Sequence, residues 1–332
     1  MPWLTPSRRK WLFLAVKLVI VAVVLWFLRS AVVEAAARLR DHASHGARPL
    51  QWSPAWLALS GLLYLAGLLP EGIFWHRVLR ALGQEAGLGE TLRAYFIGHL
   101  GKYVPGKAMV VVLRAGLIRS RRVDTGLAVA SVFLATLTMM SVGAFLAAAI
   151  LAAVQPEDPN ERAFLGLAVV AVALTGLPTL PPVFARLARW AGVGRSSPAI
   201  AERLAGLRYG LLAGGWMAMI LGWLLMGASL WAVLGAMGLS PEFWVQWHPA
   251  SAVLALATVA LAVVGGFVSM IPGGLVAREA VVTVFLGHEL GDPALALIAA
   301  ALLRLVWLVA EVLISGILYV CGPRTQPEIA EP

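Results

Sequence analysis

The stretch "GHLGKYVPGKAMVVVLRAGLI", residues 98–118, decides how this chain is read. From Gly101 to Lys107 it has the spacing of a nucleotide-binding loop: a glycine, four residues, then Gly106 and Lys107. The hydroxyl residue that such a loop uses to hold Mg²⁺ is missing, because the next position is Ala108. Pro105 also removes one of the backbone N–H donors that would cradle a phosphate. What remains is an apolar segment interrupted by Pro-Gly and bracketed by the basic side chains Lys102, Lys107 and Arg114.

Working outward, the surrounding chain is strongly apolar. Of 332 residues, 60% are hydrophobic and 13% charged, and mean hydropathy is +0.84. A helix needs about 20 mainly apolar residues to cross the hydrocarbon of a bilayer, and several runs qualify. They are Trp11 to Leu28, Pro54 to Trp75, Gly126 to Val154, Phe164 to Val183, Tyr209 to Met237, Ala250 to Ile271 and Ala294 to Val320. Two further apolar pieces, Ala94 to Leu113 and Pro272 to Leu286, contain glycine-proline breaks. The expected fold is therefore all-α: a polytopic membrane bundle of about eight hydrophobic segments, two of them broken or re-entrant around Pro105 and Pro272. Residues 1–325 form one membrane domain with candidate pseudo-repeat halves 1–155 and 160–320, and 326–332 form a short tail.

The net charge of +9 would point to nucleic acid in a soluble protein. Here the basic residues fall in short loops between apolar spans, which is the pattern of positive-inside membrane topology, so no nucleic-acid partner is expected. With "SRRK" at the N-terminus in the cytoplasm, the exit "HRVLRALG" after Trp75, the segment "RAGLIRSRRVDT" and the loop from Phe184 to Arg208 are all expected inside, and the acidic "QPEDPNER" outside. Both ends of Ala94 to Leu113 then lie on one side, and with the Pro-Gly break this predicts a hairpin of two half-helices. Residues 30–50 read as an amphipathic interfacial helix whose arginines meet anionic headgroups.

The second break, "SMIPGGLVAREAVVTVFLG" at residues 269–287, repeats the pattern: an apolar residue, Pro-Gly, a short apolar stretch, then an arginine. Paired interrupted segments in the two halves of a membrane chain point to a transporter's binding site. Proline ends the incoming helix, glycine permits the turn, and the next half-helix starts with unpaired N–H groups that favour an anion. Lys102, Tyr103, Gly106, Lys107 and Arg114 at the first break, with Gly273, Gly274, Arg278 and Glu279 at the second, are the expected contacts for a lipid headgroup. Ionisable groups at membrane depth are costly and commonly functional, so Glu71, His99, Arg304 and Glu311 are marked as a coupling or structural polar cluster.

Catalytic signals are sparse. None of the six histidines forms an i, i+4 metal pair, there is no G-x-S-x-G elbow, and the single cysteine, Cys321, excludes a disulfide within the chain. No cofactor, metal site or enzymatic activity is expected.

"GHLGKYVPGKAMVVVLRAGLI" together with "IPGGLVAREAVVTVFL" resembles the two signature segments of the lysylphosphatidylglycerol synthase transmembrane-region family, the flippase-like membrane proteins. "HRVLRALG" is similar too, while Val276 and Ala277 depart from the usual residues of the second segment. The resemblance implies a bacterial or archaeal integral membrane protein that handles lipids, some members moving aminoacylated phosphatidylglycerol or related lipids; the expectation here is a bacterial inner-membrane translocase of an anionic or zwitterionic phospholipid or lipid-linked intermediate. The chain reaches Pro332 with a short tail, so the aminoacyl-transfer activity of two-part members is not carried over. The alternatives are a membrane enzyme acting on a lipid phosphate and a non-transporting partner of a glycosyltransferase or lipid-synthesis enzyme.

Overall fold

The fold was analysed in a computed structural model, which describes residues 53–104, 108–120, 122–154, 159–193, 198–238, 249–269 and 277–323 and isolated positions before residue 53. The first span and the interfacial helix expected at 30–50 fall outside these residues, apart from those isolated positions, and so do Pro105, Gly106, Lys107, Pro272, Gly273 and Gly274.

The described residues are helical, with one isolated bridge between Ser120 and Val123 as the extended pairing among them. The helices are α1 (Pro54–Ala81), α2 (Leu88–His99) continued by a 3₁₀ turn (Leu100–Tyr103), α3 (Ala108–Ile118), α4 (Thr125–Val154) and α5 (Pro159–Gly176). After a second 3₁₀ turn (Leu177–Thr179) come α6 (Pro181–Trp190), α7 (Pro198–Ala205), α8 (Tyr209–Ala236), α9 (Pro249–Val268), α10 (Ala277–Leu290) and α11 (Pro293–Cys321). Proline opens α1, α5, α6, α7, α9 and α11, at the position where its missing N–H costs nothing. Asp292 caps α11 by accepting from the N–H groups of Ala294 at 2.8 Å and Leu295 at 3.3 Å.

Five described helices are long and apolar enough to cross a membrane: α1, α4, α5 with its 3₁₀ extension, α8 and α11. The span expected from Phe164 to Val183 ends sooner, at Gly176, because Pro178, Pro181 and Pro182 cannot continue the hydrogen-bond ladder. The chain turns there into the short amphipathic α6. Of the piece expected from Pro272 to Leu286, the described residues lie in the helix Ala277–Leu290, which continues past Leu286.

Hydrocarbon gives helices no hydrophobic reason to associate, so contact must come from close packing and buried hydrogen bonds. α1 and α8 meet at Gly67 and Gly222, where a Cβ on either glycine would lie 2.8 or 2.7 Å from the other's carbonyl oxygen. The Ser60 hydroxyl sits 2.9 Å from that of Ser229, which also accepts the Trp307 indole N–H at 2.9 Å, joining α1, α8 and α11. The Trp75 indole donates to Ser131 at 2.8 Å and that of Trp223 to the Met139 carbonyl at 3.1 Å, so both tie neighbouring helices to α4.

These contacts sort the loops onto two ends of the bundle. At one end, Gln84 accepts from the Asp124 N–H at 2.7 Å, Arg122 pairs with Glu90 at 3.7 Å, and Arg93 donates to the Leu318 carbonyl at 3.0 Å. Arg203 donates there to the Gly83 carbonyl at 3.4 Å. The arginine-rich loops and the end of α11 therefore share this face. At the other end the Ser53 N–H donates to the Ala236 carbonyl at 3.1 Å, and His288 lies 3.2 Å from Glu161.

α2 and α3 form an antiparallel hairpin that opens on the arginine-rich end. A Cβ on Gly98 would meet the Arg114 side chain, and one on Gly101 would lie 2.6 Å from the Val110 nitrogen. With a rise of about 1.5 Å per residue, α2 reaches about 18 Å into the bundle. α9 and α10 pack together in the opposite sense. Leu256 lies against Gly227 in the last third of α8, and α10 ends beside the start of α5, where Phe285 meets Phe164 at 5.6 Å. The two hairpins thus enter from opposite ends.

Candidate functional site

Glu311 lies about 15 Å of helix from the C-terminal end of α11 and is 1% exposed. A bare carboxylate there would be untenable, and its oxygens accept from three donors: the Tyr64 hydroxyl, the Lys102 ammonium and, at 3.0 Å, the Tyr103 hydroxyl. Tyr64 comes from α1; Lys102 and Tyr103 come from the 3₁₀ turn at the tip of the first hairpin. The Lys102 Nζ also donates to the Tyr64 hydroxyl at 3.2 Å and lies 5.2 Å from the centre of the Tyr103 ring.

A second buried pair lies closer to the arginine-rich end. Arg114 donates to Glu71 at 3.3 Å, and Tyr95 donates to the same carboxylate at 2.6 Å. The guanidinium sits 4.0 Å from the centre of the Tyr95 ring, and Arg114 is 1% exposed. Arg114 holds the hairpin in place, since its own backbone crosses Gly98 where no side chain would fit.

His99 joins the two pairs. Its Nδ1 lies 3.1 Å from Arg114 Nη2, and its Nε2 lies 3.1 Å from Lys102 and 3.4 Å from the Tyr64 hydroxyl. Arginine and the lysine ammonium can only donate, so an imidazole set between them accepts from one of the two through its single bare nitrogen. Nε2 also lies 3.6 Å from Glu311 Oε1.

The tip of the second hairpin contributes from the other side. Arg278 and Glu279, in the first turn of α10, line a narrow crevice with Val259 of α9 and Arg304 and Trp307 of α11. The crevice is tight, with about 30 Å³ of free volume, room for about one water molecule. Glu279 accepts from Arg304 at 3.4 Å, while its second oxygen is buried with no hydrogen bond. Among the described residues Arg278 has no ion-pair partner, and its Nε is buried without a hydrogen-bond partner. The Trp307 ring stacks on Tyr64 at 4.2 Å with an interplanar angle of 7°, so one aromatic layer separates the crevice from the Glu311 chamber.

The described residues among those expected from the sequence thus fall into two neighbouring groups: Glu71, His99, Lys102, Tyr103, Arg114 and Glu311 in one, and Arg278, Glu279 and Arg304 in the other. Sequence reasoning missed Tyr64, Tyr95 and Trp307. Tyr64 carried a usable signal, because tyrosine in membrane helices favours the interface and this one lies well inside α1, at 2% exposure. Among the described residues no group of three or more His, Cys, Asp or Glu side chains is placed to hold a metal ion.

The fold and the site together define a multi-pass membrane protein with ionisable side chains gathered deep in its helical bundle. The chain belongs to the family described as lysylphosphatidylglycerol synthase TM region, whose model matches residues 14–315. It is accordingly an integral membrane protein of a family related to lipid handling. No curated protein and no solved structure matches the chain.

Proposed function

We propose that the protein is a lipid translocase that passes a phospholipid or lipid-linked headgroup through the charged cluster between its two hairpins. The observation that carries this reading is that the two hairpins, entered from opposite ends, each set a charged side chain against α11: Lys102 on Glu311 and Glu279 on Arg304. Opposed broken helices around a site at mid-depth are how inverted-repeat transporters bind substrate, so both hairpins are read as re-entrant segments. Buried charge of this density is expensive in hydrocarbon, which argues for a task beyond packing. The arginine-rich end is taken as cytoplasmic, in a bacterial inner membrane, with the N-terminus on that side.

The test is transport of a fluorescent phospholipid in sealed proteoliposomes, read by loss of signal to an impermeant quencher. Wild type moves the label faster than empty vesicles, and Lys102→Ala, Lys107→Ala and Arg278→Ala variants that remain folded slow it. Movement at the rate of empty vesicles by wild type, or at the wild-type rate by all three variants, would overturn the reading. In that event a non-transporting partner of a lipid-synthesis enzyme, expected to co-purify with it, becomes the better account.

A further inference from the structure

Among the described residues, the bundle interior holds three ion pairs: Lys102 with Glu311, Arg114 with Glu71 and Arg304 with Glu279. Two of them use arginine, which keeps its proton in proteins. The third, at the tip of the first hairpin, uses lysine, which gives its proton up readily when buried. His99 bears on that lysine. Its Nδ1 is 3.1 Å from Arg114 and its Nε2 3.1 Å from Lys102, with the Tyr64 hydroxyl farther off at 3.4 Å. If Nε2 is the bare nitrogen, the Nδ1 hydrogen faces a guanidinium that cannot accept it. If Nδ1 is bare, Arg114 is satisfied and the Nε2 hydrogen faces Lys102, which accepts it as the neutral amine and still donates to Tyr64 and Glu311. The arrangement that satisfies every donor is the second, with one proton of Lys102 passed on.

We infer that Lys102 and Glu311 form a latch that opens by proton transfer between them: an Nζ–H bond breaks, an O–H bond forms on the Glu311 carboxylate, and the tip of the first hairpin leaves α11 as a neutral amine parting from a neutral acid. The inference rests on the translocase reading for the use of that movement and adds the step that permits it. Parting the charged pair would strand two ions inside the bundle, whereas after the transfer neither partner carries charge. The Tyr64 and Tyr103 oxygens, both in contact with the carboxyl group, can accept its hydrogen. Lys102 is the partner that moves, because its side chain is 20% exposed against 1% for Glu311. His99 is a positioning residue whose Nε2 hydrogen favours the amine. The other charged groups on the elements packed against α11 are engaged elsewhere or set apart. Glu71 of α1 is held by Arg114 and Tyr95, and Arg93 of α2 lies about two turns away at the Leu318 carbonyl. Arg278 and Glu279 of α10 line the crevice beyond the stacked rings of Tyr64 and Trp307, and α8 offers the hydroxyl of Ser229. Lys107, farther along the tip, lies outside the described residues.

The experiment follows the tip directly, as the rate at which a cysteine replacing Val104 reacts with a small thiol reagent. It uses the full chain in proteoliposomes, in a Cys321→Ser background, and each rate is taken relative to that of a cysteine replacing Arg119. Lys102→Arg keeps the charge and the reach but not the labile proton, and is expected to slow the reaction by about tenfold or more. His99→Phe is expected to slow it by about fivefold, the worth of one hydrogen bond; loss of a residue that merely braced the tip would speed it instead. The His99 arm decides the matter should Lys102→Arg not fold. Because the transfer is internal, the relative rate in wild type is expected to be independent of pH. An unchanged or faster rate in Lys102→Arg, or a faster one in His99→Phe, overturns the inference. So does a rise of about tenfold per unit of acidification in wild type, which would mean a proton taken from solvent. Slowing by Lys107→Arg in place of Lys102→Arg overturns the assignment to Lys102. Labelling as expected with no lipid movement in the same vesicles sinks the translocase reading alone; lipid movement with labelling indifferent to Lys102→Arg sinks this inference alone.

Discussion

Lys102 and Glu311, 209 residues apart in the chain, form an ion pair inside the bundle, where Glu311 is also the acceptor for Tyr64 and Tyr103. The tip of the first hairpin is thereby fastened to α11 by groups that neither element can leave unpaired in hydrocarbon.

Breaking that pair from one side leaves a buried charge without compensation. Glu311→Gln and Lys102→Met are each expected to destabilise the fold, by up to about 3–5 kcal/mol. The double variant Lys102→Met/Glu311→Gln, which removes both charges, should lose clearly less than the sum of the single changes. Thermal unfolding of the four proteins in one detergent measures the coupling, and strict additivity would show that the two side chains do not depend on each other.

The close approach of α2 to α3 is tested at glycine. Gly101→Ala would place a Cβ 2.6 Å from the Val110 backbone nitrogen, which cannot give way, so a loss of about 1–3 kcal/mol is expected. Gly116→Ala, on α3 with nothing within 4 Å, should be neutral or stabilising by about 0.5–1 kcal/mol. A comparable loss at both positions would mean that the hairpin is not packed as described.

Ser229 serves Ser60 and Trp307 together. Ser229→Ala and Trp307→Phe should each cost about 1 kcal/mol through the lost hydrogen bond, and combining them should cost little more than the larger of the two. Because the phenyl ring preserves the stack on Tyr64, Trp307→Phe is expected to retain the aromatic layer. Unfolding midpoints of the single and double variants report both effects.

The opposed entry of the hairpins predicts a labelling pattern. In a Cys321→Ser background, cysteines replacing Glu85 and Arg119 should react with an impermeant maleimide from one face of sealed vesicles, and a cysteine replacing His288 from the other. Reaction of the Arg119 and His288 positions from the same face would refute the arrangement.

Much of this was legible in the sequence because charge and backbone chemistry act locally. Arg114, Arg119, Arg121 and Arg122 after one Pro-Gly break and Arg77 and Arg80 before it imply that the chain returns to the side it left. Proline and glycine mark the interruptions without reference to anything else in the fold. Pairing was not legible, because it is set by tertiary contact: nothing near Arg114 in the chain indicates that Glu71 accepts from it, or that Arg304 chooses Glu279 on α10 over Glu311 on its own helix. Tyr64 was lost among apolar neighbours, since its role depends on a carboxylate that arrives from the last helix. The early end of α5 was written in Pro178, Pro181 and Pro182 and was overridden in the reading by continuous hydropathy.

α11 carries Arg304 toward the second hairpin and Glu311 toward the first, within a single uninterrupted helix capped at Asp292. A stiff rod cannot shift one of these side chains and spare the other. Sliding α11 along its axis by one helical turn, about 5.4 Å, would strain both ion pairs in the same stroke. The two hairpin tips therefore share one mechanical coordinate, and whatever releases one of them reports at once to the other.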